Sequence, residues 1–213
     1  YISVASEYGL FKGIDIKKDE LEVIDMAVML KNLLETEIKD GMLSETGIKG
    51  YYMTAVHDMK IMNGIVTDNG ITSLDGTESV RSQIKISGET MVSDGDDYTS
   101  YLGKRVRAYY IDKPGEEAVV LTLEESDKNE IINIYGNNIE KYENQTYTYY
   151  ANGGRCKTAS LKREYNIVYN GRLVQDASKL TKEKFEPREG EVTLIDADGD
   201  GKFETLVIED YET

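Results

Sequence analysis

Beyond Gly50, apolar and polar residues alternate with a period of two, and this pattern restricts most of the chain to extended structure. The alternating runs are separated by segments rich in Gly, Asn and Asp, which favour turns. Strands are predicted over 51–56, 60–67, 83–87, 105–111, 119–123, 130–134, 146–151, 166–169, 172–174, 191–195 and 205–209. Short strands joined by turns predict antiparallel sheets.

The clearest turn is Asn170-Gly171, between the apolar runs 167–169 and 173–174. A type I′ turn needs positive φ at both central residues, and Asn and Gly tolerate this conformation. The sequence therefore predicts a β-hairpin at this point.

The first forty residues have a helical pattern instead. Apolar residues spaced three or four apart predict a helix over 19–39, and they are Leu21, Ile24, Ala27, Val28, Leu30 and Leu34. Acidic residues suit its N-terminus, at Asp19, Glu20 and Glu22. A shorter helix is predicted over 2–8, ended by Gly9.

Together these patterns predict an α+β, mainly β fold, with a short N-terminal helical unit followed by antiparallel β-barrel or sandwich modules. A break at 126–129 divides the β region into two parts of similar size, which are either two small barrels or one long sandwich. The predicted domains are a helical segment at 1–47, a first β module at 48–128, and a second β module with an Asp-rich loop at 129–213.

The charge of the chain excludes several partners. Lys and Arg number 25 against 40 Asp and Glu, for a net charge of −15. Nucleic acids and anionic membranes would repel such a chain, so we expect no nucleic-acid partner. No apolar run approaches the roughly 18 residues of a membrane-spanning helix, so we expect no membrane insertion.

The segment 196–204, DADGDGKFE, is chemically the most specific. Carboxylates at loop positions one, three and five can meet at one hard cation when a Gly at position six allows a sharp turn. The predicted calcium ligands are Asp196, Asp198, Asp200, the carbonyl group of Lys202, and Glu204. Position twelve is Val207 in a strand-like run, so the loop is not an EF-hand. The alternative is an acidic β-turn without an ion.

Catalytic candidates are few. The only imidazole is His57, in a strand-like run, and the only thiol is Cys156 between Arg155 and Lys157. Neither lies in a nucleophile motif, although the flanking cations of Cys156 could lower the pKa of its thiol. A second acidic cluster, at 94–97, lacks ligand spacing and is predicted to be a solvated loop. The chain is therefore predicted not to be an enzyme.

Two regions resemble modules of bacterial S-layer and S-layer-homology surface proteins. Residues 5–13, ASEYGLFKG, resemble the opening helix and Gly-x-x-x-Gly turn of that repeat, and 26–30, MAVML, resemble its second helix. The wall-binding Thr-Arg-Ala-Glu motif of the family is replaced here by EVID at 22–25, so one degenerate repeat with a packing role is implied. In the β region the resemblance covers 101–106 (YLGKRV), 167–171 (IVYNG) and 192–204 (VTLIDADGDGKFE).

The resemblance implies a structural or adhesive module of an extracellular, cell-surface assembly. The expected partners are copies of the chain or other subunits, and a cell-wall or surface glycan is a further candidate. Two alternatives remain open: a structural or decoration protein of a phage virion, and a carbohydrate-binding domain. The latter rests on the 16 tyrosines, which otherwise suit the packing of half-buried strands.

Overall fold

The structure, a computed structural model, describes residues 2–17, 20–38, 50–93, 95–151 and 153–211. Within these ranges the helices are α1 (Ile2–Glu7), α2 (Val23–Leu34), α3 (Tyr52–His57) and α4 (Lys182–Phe185). The strands are β1 (Glu37–Ile38), β2 (Gly50–Tyr51), β3 (Met59–Asp68), β4 (Gln83–Ile86), β5 (Glu89–Ser93), β6 (Arg105–Ile111), β7 (Val119–Glu125), β8 (Glu130–Tyr135), β9 (Ile139–Glu143), β10 (Thr146–Ala151), β11 (Arg155–Tyr169), β12 (Arg172–Leu173), β13 (Gly190–Asp196) and β14 (Phe203–Asp210). The prediction of a mainly β fold with a short N-terminal helical unit is confirmed.

Helix α2 is shorter than the predicted helix over 19–39, whose Asp19 and Lys39 lie outside the described residues. It begins after Glu22 because the Asp25 side chain accepts the Glu22 backbone N–H at 2.9 Å in a reciprocal capping box. The predicted apolar stripe does not mark the buried side of the helix. Ile24 is 63% and Leu30 58% exposed, whereas Asp25 is buried.

Strands β3 to β7 form a closed barrel in the order β3-β4-β5-β7-β6. Its buried side chains come from alternate strand positions, and they include Val66, Ile84, Ile86, Val106 and Val120. Closure pairs both ends of the sheet, so the barrel has no free sheet edge. Strand β5 was not predicted from the sequence.

Strands β8 to β14 form a seven-stranded sheet in the order β8-β13-β14-β11-β10-β9, with β12 paired to β11. One face carries the core, which consists of Ile134, Tyr147, Tyr149, Ala159, Leu161, Ile167, Phe185, Val192, Leu194, Phe203, Leu206 and Ile208. The predicted hairpin is present, since Asn170 and Gly171 have φ of 46° and 73° between β11 and β12. The two tyrosines buried in this core serve packing.

The sequence-based strand pattern fails in several places. Residues 51–56, predicted as a strand, are mostly helix α3, and β9 was not predicted. The sheets are also not wholly antiparallel, because β11 pairs with β14, and β5 with β7, in parallel. Parallel pairs join segments that are distant in sequence, so local alternation does not reveal them.

The chain divides into two compact units, residues 1–61 with 109–116, and residues 62–108 with 117–213. In the first, the Asn32 side chain donates to the carbonyl oxygens of Leu10 at 3.0 Å and Lys12 at 2.9 Å, which ties α2 to the segment after α1. The second contains the whole seven-stranded sheet. No helix in the described ranges has the length and apolar character needed to cross a membrane.

Candidate metal centre

The Asp-rich loop joins β13 to β14 at one end of the seven-stranded sheet. Asp196 is the last residue of β13, and Glu204 is the second residue of β14. Pairing of Ile195 with Thr205 brings these strand ends together. Gly199 and Gly201 have φ of 76° and 81°, so the chain reverses through two positions that favour glycine.

The Asp196 side chain organises the loop by accepting hydrogen bonds from backbone N–H groups. This side chain is fully buried, and its Oδ1 accepts the N–H groups of Asp198 at 3.0 Å and Gly199 at 2.7 Å. Its Oδ2 accepts the N–H group of Gly201 at 2.7 Å. Three backbone donors therefore hold one carboxylate in place, and they compensate for its burial.

Three carboxylates of the loop converge. One carboxylate oxygen each from Asp196, Asp198 and Glu204 lies within 4.8 Å of the others. Glu204 is oriented by the Ala197 N–H group, which donates to its Oε2 at 3.0 Å. Oxygen donors spaced in this way can hold a metal ion.

An ammonium group also lies at this cluster. The Lys162 Nζ atom is 2.7 Å from Asp198 Oδ2, 2.8 Å from Glu204 Oε1 and 3.1 Å from Asp200 Oδ2. Strand pairing places it there, because Leu161 of β11 is the register partner of Phe203 in β14. Lys162 and Glu204 are the next residues of their strands, and their side chains meet as an ion pair.

The ion pairs change the titration of both partners. The hydrogen bonds that Lys162 donates, first to Asp198 and then to Glu204, raise its pKa above the ordinary value. The Lys162 ammonium in turn lowers the pKa of the Asp198 carboxyl. Both groups are therefore charged at neutral pH. Three acidic side chains contact this single ammonium and Asp196 lies beside them, so the site stays electronegative.

The predicted ligands have different positions. Asp196, Asp198 and Glu204 form the converging group, whereas Asp200 lies outside it and is half-exposed. The Asp200 carboxylate binds Lys162 and accepts the Lys202 N–H group at 2.9 Å. Sequence reasoning missed Lys162, which is 34 residues before the loop and lies beside Arg163 in a segment where no strand was predicted.

Cys156 is exposed on β11, and its Sγ lies 3.7 Å from the Glu140 carboxylate. Local desolvation and this neighbouring acid raise the pKa of the thiol. The expectation that Arg155 and Lys157 could lower it is wrong, because adjacent residues of a strand point to opposite faces. The thiol therefore stays protonated at neutral pH.

His57 is the last residue of α3 rather than part of a strand, and its ring contacts Tyr52 edge-on at 6.3 Å. In the second acidic cluster, Asp94 lies outside the described residues, and Asp96 and Asp97 are exposed. Asp97 accepts the Thr99 N–H group at 2.9 Å and the Thr99 hydroxyl at 2.6 Å, which lowers its pKa. This carboxylate stabilises a turn.

No protein-family model, curated protein or solved structure matches the chain. The resemblance to S-layer proteins thus stays a prediction, and the metal site is supported by the geometry of its carboxylates.

Proposed function

We propose that the chain is a non-enzymatic structural or adhesive module of an extracellular bacterial surface assembly, in which a calcium ion holds the turn between β13 and β14. The observation that carries the proposal is the convergence of Asp196, Asp198 and Glu204 in that turn. Resemblance to S-layer modules supports the surface role.

The donor chemistry favours calcium among common metal ions. All three converging groups are carboxylates, and hard oxygen ligands suit Ca²⁺ better than zinc or copper. Backbone N–H groups already orient the Asp196 carboxylate, so the loop needs little further ordering before it binds calcium. Without an acidic residue at position twelve, we expect a dissociation constant of about 0.1–1 mM, which is typical of extracellular modules.

Lys162 is the internal competitor of the metal ion. Its ammonium contacts the oxygens of Asp198 and Glu204 that calcium would use. A divalent ion interacts more strongly with the three converging carboxylates than one ammonium does, and Lys162 can turn toward solvent since its side chain is 22% exposed. Calcium binding therefore requires displacement of this side chain.

Calcium is expected to raise the melting temperature of the chain, and Asp198→Ala is expected to abolish the rise. At ten times the dissociation constant, bound calcium adds about 1.4 kcal/mol of stability by mass action. For a chain of this size the melting temperature should rise by about 3–6 °C. Differential scanning calorimetry with and without calcium measures the rise, and titration calorimetry gives the affinity.

Glu116→Gln is the control, because it removes one exposed negative charge from the turn after β6. Its melting temperature should respond to calcium as the unmodified chain does. If millimolar calcium leaves the unmodified melting curve unchanged and releases no heat, the loop is an acidic turn without an ion. A micromolar dissociation constant would contradict a structural site filled only outside the cell.

Lys162→Met is expected to strengthen calcium binding by about tenfold, because it removes three ion pairs that are each worth up to about 1 kcal/mol. Without calcium the same variant should melt below the unmodified chain, since its loop carboxylates then repel one another without a counter-ion. Calcium should restore the melting temperature.

Lys85→Met is the matched control, because Lys85 is similarly buried and forms an ion pair with Asp75 at 3.1 Å on the barrel. It should leave the calcium affinity unchanged. An affinity that Lys162→Met does not alter would show that any bound calcium lies away from these carboxylates.

A further inference from the structure

Strand β8 is one of the two edge strands of the seven-stranded sheet. It pairs with β13 on one side, and no strand in the described ranges pairs with its other side. An edge strand presents a row of backbone donors and acceptors to any strand that approaches it. Its sequence, EIINIY, has one charged residue, no Pro and no Lys, so it lacks the usual protection against strand addition.

Strand β9, at the other end of the sheet, is protected. Three of its five residues, IEKYE, are charged, and its pairing with β10 contains a register shift at Thr148 and Tyr149. The Tyr142 N–H group donates to Glu186 Oε1 at 2.5 Å. The charged side chains, the register shift and the Tyr142 N–H group already bonded to Glu186 all oppose the addition of another strand to β9. The two ends of one sheet therefore differ in their capacity to accept a strand.

A cleft of about 670 Å³ lies beside β8. Its lining is mostly apolar or neutral polar, as at Ile71, Leu102, Ile131 and Thr193, and it also holds two charged side chains, Lys104 and Glu209. Such a surface suits an aromatic ring that carries a hydroxyl group.

Tyr135 ends β8 on the face that borders the cleft. Side chains alternate along a strand, so Ile131, Asn133 and Tyr135 share one face, while Ile134 is buried on the other. Tyr135 is 61% exposed. Strand β8 thus has one backbone edge without a partner strand in the described part of the chain, a cleft near its first residues and an exposed aromatic side chain at its last residue.

We propose that β8 pairs with β8 of a second copy of the chain, antiparallel and about a twofold axis at Asn133. In this register Tyr135 lies opposite the partner subunit's Ile131, so each tyrosine enters the partner's cleft. The inference names the contact surface for the assembly role proposed above, and it does not depend on calcium.

The charges of the strand permit this arrangement. The chain has a net charge of −15, and two copies repel one another at long range. The only acid of β8, Glu130, lies opposite Gly136 of the other copy, so the two Glu130 carboxylates are about 20 Å apart along the strands. That separation exceeds the screening length at physiological salt, about 8 Å. No like charges oppose one another across the paired strands.

Sedimentation velocity of the full chain over increasing concentration, to about 1 mM, tests the contact. We expect a reversible dimer in the unmodified chain. Tyr135→Ser should raise the dimer dissociation constant at least tenfold, and Asn133→Lys should abolish association. Tyr150→Ser is the control, because it removes another exposed tyrosine from the interior strand β10 and should have no effect. Circular dichroism of each variant checks that its fold is intact.

Cross-linking tests the register independently. Residues directly opposite in an antiparallel pair have Cα atoms about 4.5–5.5 Å apart, within the range of a disulfide. Asn133→Cys, in a Cys156→Ser background, should therefore form a dimer under oxidising conditions. Lys141→Cys on β9, in the same background, should not.

A chain that stays monomeric and still melts higher with calcium would overturn this inference while leaving the calcium site intact. A dimer that persists in Tyr135→Ser and Asn133→Lys would overturn the β8 contact but not assembly. A β8-dependent dimer without the Asn133→Cys cross-link would overturn the twofold register.

Discussion

Leu206→Ala is expected to lower the free energy of unfolding by about 3 kcal/mol. Leu206 is fully buried in β14, a central strand, and its register partners are Leu194 in β13 and Ile167 in β11. Truncation removes apolar contacts with both neighbours and leaves a cavity that paired strands cannot close. Urea denaturation followed by circular dichroism measures the loss.

Val207→Ala is the matched control, because Val207 is the next residue of β14 and lies half-buried on the opposite face. Its truncation should cost about 1 kcal/mol or less. Equal losses at the two positions would contradict the assignment of the core to the face that carries Leu206.

Asp196→Ala is expected to cost about 3 kcal/mol even in the presence of a chelator. The substitution leaves the N–H groups of Asp198, Gly199 and Gly201 without their acceptor. A buried donor with no acceptor costs about 1–3 kcal/mol when water cannot reach it. The exposed part of the loop admits some water, so the three losses do not add fully. Denaturation in a chelator measures the effect without any metal contribution.

Asp196→Asn separates the role of hydrogen bonding from that of charge. Its amide oxygen can still accept two of the three N–H groups, so about half of the stability loss should remain. If Asp196→Ala were neutral in chelator, the loop would not depend on this carboxylate for its conformation. Calcium would then be the main organiser of the turn.

Local pattern predicted many elements well. The bounds of β6 and β10 agree with the predicted strands, and the Asn170-Gly171 turn has the expected positive φ angles. Each depends on interactions within a few residues, because alternation and turn chemistry are local properties.

The sequence-based predictions failed where tertiary contacts override the local conformational preference of a segment. The run 51–56 contains residues with strand propensity, and yet most of it is helix α3. The apolar stripe of α2 was correct as a helical pattern, but exposed Ile24 and Leu30 show that helical spacing does not identify the buried face. Only the packing of other segments decides which side of a helix is covered.

In the candidate metal site, too, some features are local in the sequence and one depends on the tertiary structure. The sequence by itself determined the turn, its two positive-φ glycines and the acidic side chains at alternate positions, because all of these lie within the nine residues 196–204. The tertiary structure alone decided that Lys162 lies among those carboxylates, since the parallel pairing of β11 with β14 brings it there from 34 residues away. A carboxylate cluster is a local property of the chain, whereas its counter-ion depends on strand register, which is set by burial of Leu161 and Phe203 in a shared core.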